Sequence, residues 1–331
     1  MTSATRATAT TLGAAVATAA LGAAYAAVLE PSWFALREFT VPVLPPGAPS
    51  LRVLQLSDIH LVPGQDRKLG WIRDLASLAP DLVVNTGDNL SHVDAVPPLL
   101  DALEPLLGLP GAFVLGSNDY YAPTFRNPAL YLTRRHAERH PGRVHLPTGE
   151  LVAGLAAGGW VDLDNARTSL TLRDLPLELV GVDDPHIKRD RYAAVSAPAS
   201  PSAALTVGVV HAPYQRVLDA MAADGAGLII AGHTHGGQLA VPGFGALVTN
   251  CDLDRSRAKG LSRWWPGAGL DVPRRGVDRV LHGGTARPSS AAPADAAYLH
   301  VSAGLGTSRF AQVRFACRPE ATLLTLVPRS A

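Results

Sequence analysis

Five short apolar runs, each closing on a polar cluster, constrain this 331-residue chain more than anything else in it: Arg52–Leu56, Leu82–Asn85, Ala112–Leu115, Leu205–Val210 and Leu228–Ala231. Runs of four to six residues are too short for core helices and suit strands buried on both faces. Helical patterns at 67–78 and 95–106 lie between the first three, the order expected of βαβ crossovers. Leu177–Val182, Tyr298–Ser302 and Thr322–Val327 add further strands, while Ser196–Ala204 and Gly283–Ala297 read as surface loops. The predicted architecture is a single α/β domain over residues 40–331, two packed sheets flanked by helices. Residues 1–39 form a separate N-terminal segment and connector. A 47% hydrophobic content suffices for such a core, and 17% charged residues exclude global disorder.

The polar clusters share one chemistry. Run 52–56 is followed by Asp58 and His60, run 82–85 by Gly87-Asp88, and run 112–115 by Gly116-Ser117-Asn118-Asp119. Run 205–210 is followed by His211, and run 228–231 by Gly232-His233-Thr234-His235. Ligands bind outside the carboxyl ends of strands in open α/β sheets, so these loops can converge on one place. Asp58 and His60, like His233 and His235, are two residues apart; in extended backbone both members of a pair project to the same side. Singly, each piece is common by chance and a lone buried His is usually a core residue. Five in succession at strand ends are not. Carboxylate and carboxamide oxygens mixed with imidazoles suit Mn²⁺, Fe or Zn²⁺ (Co²⁺ is a further candidate), and two cysteines cannot build a cysteine-based zinc site.

In this pattern the chain resembles the calcineurin-like metallophosphoesterases, whose series is Asp-x-His, Gly-Asp, Gly-Asn-His, a lone His and Gly-His-x-His. Residues 58–60, 87–88, 116–119, 211 and 232–235 match it, and the resemblance extends over about 50–327. Gly232–Gln238, Val301–Ser308, Arg314-Phe315 and Arg318-Pro319-Glu320 look like the membrane-anchored bacterial branch. The resemblance implies two divalent cations, Mn²⁺ foremost. One would be held by Asp58, His60, Asp88 and His235, the other by Asp88, Asn118, His211 and His233, with Asp88 bridging. It implies a metallophosphoesterase sandwich and hydrolysis of a phosphodiester or pyrophosphate by metal-bound hydroxide. Two such cations lower the pKa of a water and neutralise charge on phosphoryl oxygens.

The third motif departs from the family. Read with Ser117 inserted, Asn118 is followed by Asp119 where the family has the His assigned to protonating the leaving oxygen. Asp119 is then a protonated general acid raised by burial or by Asp88, with Asn118 beside it, or a spectator, or the mark of a slow site. His92 reads as a phosphate contact or a helix-start residue, and Asp183, Asp184 and His186 as a structural loop or a substrate contact. His136, His140 and His145 read as surface residues, and Trp264-Trp265 as local packing.

Address and partners follow from the N-terminus and the charge. Ala7–Leu29 carries no charge, and its apolar part, Leu12–Leu29, would span about 27 Å as a helix. A single-pass anchor is expected; the alternative is a signal peptide cleaved at Ala24-Tyr25-Ala26. Either puts the catalytic domain outside the cytoplasmic membrane, which favours a lipid-linked or envelope-derived phosphoester. With 29 basic and 28 acidic residues nothing advertises nucleic acid, and a nuclease is disfavoured. A UDP-2,3-diacylglucosamine pyrophosphatase-like hydrolase and an impaired metal- or phospholipid-binding module stay open. No protein partner is expected. In an exported domain Cys251 and Cys317 could pair.

Overall fold

The computed structural model describes residues 17–125, 142–269 and 287–330, so His136, His140 and part of Gly283–Ala297 lie outside the described residues. Two six-stranded sheets face each other. The first runs in the order β1 (Ala35–Leu44), β14 (Glu320–Pro328), β2 (Leu51–Leu56), β3 (Leu82–Asn85), β4 (Gly111–Phe113), β5 (Val161–Asp162). The second runs β12 (Gly260–Trp264), β13 (Ala297–Val301), β9 (Leu228–Ala231), β8 (Leu205–Val210), β7 (Leu175–Val182), β6 (Ala166–Leu172).

Alternation along the strands sorts the apolar side chains into layers. Val53, Val84 and Ala112 meet Leu179, Val207 and Ile230 between the sheets. The opposite faces of β2 and β3, through Leu54, Leu56 and Val83, pack under helices Asp66–Asp74, Val96–Leu107 and Thr148–Ala157. Helix Gln215–Ala223 covers the second sheet through Val217, Leu218 and Met221. The two-sheet α/β sandwich read from the sequence is therefore the fold.

Register places the chemistry. β2, β3 and β4 are parallel with Leu56, Asn85 and Phe113 in line, and β7, β8 and β9 are parallel with Val182, Val210 and Ala231 in line. All five polar clusters thus leave the sandwich at strand ends brought to one rim.

Strand β1 begins at Ala35, inside the stretch read as connector, and among the described residues its only strand neighbour is β14. An edge strand tolerates Pro42 and half-exposed polar residues, which hides it from a search for apolar runs. Ahead of it, residues 17–32 are helical, and Glu30 docks on the catalytic body by accepting hydrogen bonds from the backbone of Ala316 and Cys317. Among the described residues no helix is long and apolar enough to cross a membrane. Cys251 and Cys317 are both buried free thiols and do not pair. Trp264 and Trp265 are buried, Trp264 donating to Asp219, so packing is their role.

One polar contact ties the two sheets together. Gln55 on β2 donates to the Ala231 carbonyl at 2.8 Å and accepts from His300 Nδ1 on β13 at 2.6 Å. Burial holds the His300 imidazole down to about 3, from an ordinary 6.5. Between those values the unfolded chain takes up a proton that the folded chain refuses. Stability is therefore intact above pH 6.5 and falls on acidification by about 1.4 kcal/mol per pH unit down to about 3. The stability advantage of wild type over His300→Gln should shrink at that rate between pH 6.5 and 4 in urea unfolding. An advantage constant across the range would refute it.

Candidate metal centre

The rim is built from unusual backbone. Asp58, His60, Asp88, His233 and His235 all have positive φ, between 46° and 70°. The paired residues are therefore not extended, as their spacing suggested; two tight left-handed turns aim them instead. Each such residue costs roughly 1–2 kcal/mol, a strain that the surrounding hydrogen bonds must hold. Glycine is required beside them. A Cβ on Gly116 would strike Asp88 and His211, and one on Gly232 would strike Ser57 and Asp58.

The donors converge as the motifs require. His60 Nε2 lies 3.4 Å from Asp88 Oδ2, His211 Nε2 lies 3.5 Å from Asp88 Oδ1, and His235 Nε2 lies 3.6 Å from Asp58 Oδ1. Two sets, Asp58–His60–His235 and Asp58–Asp88–His211, have their ligand atoms within 4.8 Å of one another. His233 Nδ1 is 3.3 Å from His211 Nε2, and the His233 backbone N–H donates to both oxygens of Asp58.

Proton placement shows what the cluster is built for. His211 Nδ1 donates to the Thr86 carbonyl at 2.7 Å and His235 Nδ1 to the Gly306 carbonyl at 3.1 Å, so Nε2 of each points inward. Against burial, Asp88 holds His211 well above its ordinary value, so its Nε2 carries a proton that a cation would displace. Nε2 of His60 and Nε2 of His235 face each other at 3.2 Å. Burial holds His60 down to about 4 and keeps His233 and His235 well below their ordinary value. Neutral imidazole nitrogens pressed against one another and against carboxylates fit a cation between them. Burial pushes Asp58 up to about 6; for Asp88 the imidazoles of His211 and His60 outweigh burial and hold it well below its usual range.

Among the roles left open for Asp119, its surroundings favour the spectator. It is fully buried, and its carboxylate accepts the backbone N–H groups of Asp88 at 2.8 Å, Asn89 at 2.7 Å and Gly116 at 2.9 Å. Both oxygens are occupied by amide donors, so the group braces the second motif against the third and presents no face to a leaving group. Burial and Asp88 push it up to about 7, while those N–H groups favour its ionised form. Gly116 leads straight into a single helical turn, Ser117–Tyr120. Asn118 gives Asp88 its backbone N–H and its side-chain Nδ2, both at 2.7 Å. Asp119→Asn sets an amide donor against backbone donors, so it should lower stability by roughly 1–3 kcal/mol. The basic limb of its pH–rate profile should match wild type; a basic limb that disappears would restore Asp119 as the acid.

Other polar residues border the centre. Asp184 is fully buried near His211 and Asp88 and accepts from the His186 backbone. The His186 ring lies 4.6 Å from that of His233 and contacts the Tyr214 hydroxyl at 3.1 Å. Asp183 turns away, to Tyr120 and Arg189. The His92 ring contacts Asp94, two residues along the chain, and His145 is exposed. Arg314 went unnoticed as chemistry. Fully buried, it donates to the carbonyls of Ala303, Gly304, Gly306 and Cys317, holding the loop on which His235 rests.

Fold and rim together define a metallophosphoesterase, and comparison with known proteins agrees. The family model for calcineurin-like phosphoesterases matches residues 51–237, and the chain belongs to that family, whose members are hydrolases acting on phosphoester bonds. It is 26% identical over 327 residues to the uncharacterized metallophosphoesterase YkuE of Bacillus subtilis, covering 95% of this chain and 93% of that one. It is 27% identical over 208 residues to a transmembrane protein with metallophosphoesterase domain from Bos taurus, covering 60% of this chain and 44% of the relative. Among solved structures, TT1561 of Thermus thermophilus is similar at 12% identity and a TM-score of 0.38, covering 78% of this chain and 91% of that one.

Proposed function

We propose that this chain hydrolyses a phosphodiester or pyrophosphate, lipid-linked or derived from the cell envelope, with two divalent cations held at the rim. Asp58, His60, Asp88 and His235 would hold one, and Asp88, His211, His233 and Asn118 the other. The observation that carries this reading is the inward set of lone pairs, with Nε2 of His60 and His235 at 3.2 Å and both facing carboxylates. When bound, the cations supply Lewis acidity and an ionised water. With Asp58 and Asp88 the balance is one positive charge, which suits a diester monoanion; Asp119 is spent on backbone amides. The chain's own residues orient the rest. Asn118 fixes Asp88, the Thr86 and Gly306 carbonyls fix two imidazoles, and the half-buried His186–Tyr214 pair borders the side from which a substrate arrives. Mn²⁺ is proposed as the native metal, and the uncharged N-terminal stretch as the anchor that keeps the site at an extracytoplasmic membrane face.

The test is hydrolysis of bis-p-nitrophenyl phosphate and p-nitrophenyl phosphate by the full chain with and without Mn²⁺. Metal-dependent turnover, faster on the diester and lost in His233→Ala, is expected. Turnover that survives chelation or the substitution would overturn the reading.

A further inference from the structure

The loops around His235 carry an apolar surface that the hydrolytic chemistry does not use. Four residues past His235, Leu239 pairs with Phe315, and the Phe315 ring meets Tyr25 of the N-terminal helical segment edge-on at 6.2 Å. The chain then runs through a two-stranded ribbon, β10 (Ala240–Val241) and β11 (Gly245–Ala246), whose tip exposes Val241 at 45% and Phe244 at 51%. Gln238 donates to the Ala311 carbonyl, tying the ribbon to the neighbouring loop, where Phe310 meets the 72%-exposed Phe125 edge-on at 5.8 Å. Gln238–Asn250 contains no charged residue, and Ser302–Val313 contains only Arg309. Leu21, Val28 and Leu29 of the N-terminal segment are exposed as well, so the apolar surface continues from that segment to the rim.

We propose that this rim is a membrane-docking surface, which lays the catalytic domain on an anionic phospholipid bilayer with the metal centre at the headgroup level. Three observations favour a bilayer over a protein partner. The surface is made of aromatic and aliphatic tips from separate loops rather than one groove, the form that suits shallow insertion. It is continuous with residues 17–29, the described part of the N-terminal stretch, which carry no charge. The charges among the aromatics are cationic: Arg255 lies over Phe244 at 4.4 Å, Arg309 by Phe310 at 5.9 Å and Arg318 over Trp33 at 4.1 Å. Aromatic rings with guanidinium groups beside them match an anionic headgroup layer. The docking surface deepens the lipid-linked reading of the site and rests on it for its purpose, since a substrate embedded in the bilayer would meet the cations without leaving it.

The test places an environment-sensitive fluorophore on single cysteines introduced by Phe244→Cys, Phe310→Cys and Asp174→Cys in the full chain. Both native cysteines are buried and are spared by the label. Asp174 is exposed in the turn before β7, at the opposite end of an eight-residue strand from the rim. Each labelled protein is bound to vesicles of phosphatidylcholine with phosphatidylglycerol, with or without doxyl-labelled lipid as quencher. Quenching and a blue-shifted emission at 244 and 310, absent at 174 and weaker on pure phosphatidylcholine, are expected. No quenching at 244 and 310, or equal quenching at 174, would overturn the docking surface. Turnover of bis-p-nitrophenyl phosphate by the same preparations separates the two claims: turnover without quenching removes the surface alone, and quenching without turnover removes the hydrolase reading alone.

Discussion

Asp88→Asn should lose metal-dependent turnover of bis-p-nitrophenyl phosphate by at least roughly 10³-fold and should bind at most one cation per chain. Its carboxylate reaches both halves of the centre: its Oδ2 lies 3.4 Å from His60 Nε2 and its Oδ1 3.5 Å from His211 Nε2. Asparagine keeps the shape and one oxygen, so the hydrogen bond from the Asn118 backbone can survive. Its amide nitrogen, however, would point a donor at Asn118 Nδ2 and remove the negative charge that two adjacent cations share. The fold should persist, because the backbone of Asp88 and Asn89 is held by Asp119 rather than by the Asp88 side chain. Metal content by elemental analysis, kcat on the diester and urea unfolding of the apo protein separate these effects. Two retained cations with more than a tenth of wild-type turnover would sink the bridging role.

How much of this was legible in the sequence follows from what each element buries. β2, β3, β8 and β9 lie inside their sheets with both faces covered, so they read as unbroken apolar runs. β1, β6 and β12 lie at sheet edges with half-exposed residues, and nothing in Ala35–Leu44, Ala166–Leu172 or Gly260–Trp264 announces a strand. The candidate ligands were legible because their motifs are short and each sits directly after a buried run. Their geometry was not: Asp58, His60, His233 and His235 are left-handed, and no spacing argument reveals a backbone dihedral. Which role Asp119 takes was not legible, for a related reason. A carboxylate beside a metal motif suggests acid chemistry, whereas its actual partners are backbone amides of residues 88 and 89, which only the folded chain brings to it. Glu30 is the extreme case, bonded to backbone 286 and 287 residues away, with no local pattern to give notice of it.

The second large effect concerns Arg314, which touches no ligand atom of the proposed cations and comes no nearer to them than a 3.5 Å approach to His235 Nδ1. Its guanidinium donates to the carbonyls of Ala303 at 2.7 Å, Gly304 at 3.1 Å, Gly306 at 2.6 Å and Cys317 at 3.1 Å, with no solvent exposure. Arg314→Met would leave those buried acceptors without their donor while preserving much of the volume. Removing one side of such a buried charged network costs roughly 3–5 kcal/mol, which lowers Tm by about 10 °C for a chain of this size. The Gly306 carbonyl also receives His235 Nδ1–H, so slack in that loop frees the imidazole to rotate. Loss of a group that orients a ligand weakens metal binding by roughly 10–100-fold. Arg314→Lys should recover little, because an ammonium concentrates its donors at one point and cannot span carbonyls reached by a planar fork. Metal titration at a temperature where the variant is folded distinguishes positioning from mere stability. A folded Arg314→Met protein with wild-type metal affinity would show that the arginine only holds the loop and does nothing for His235.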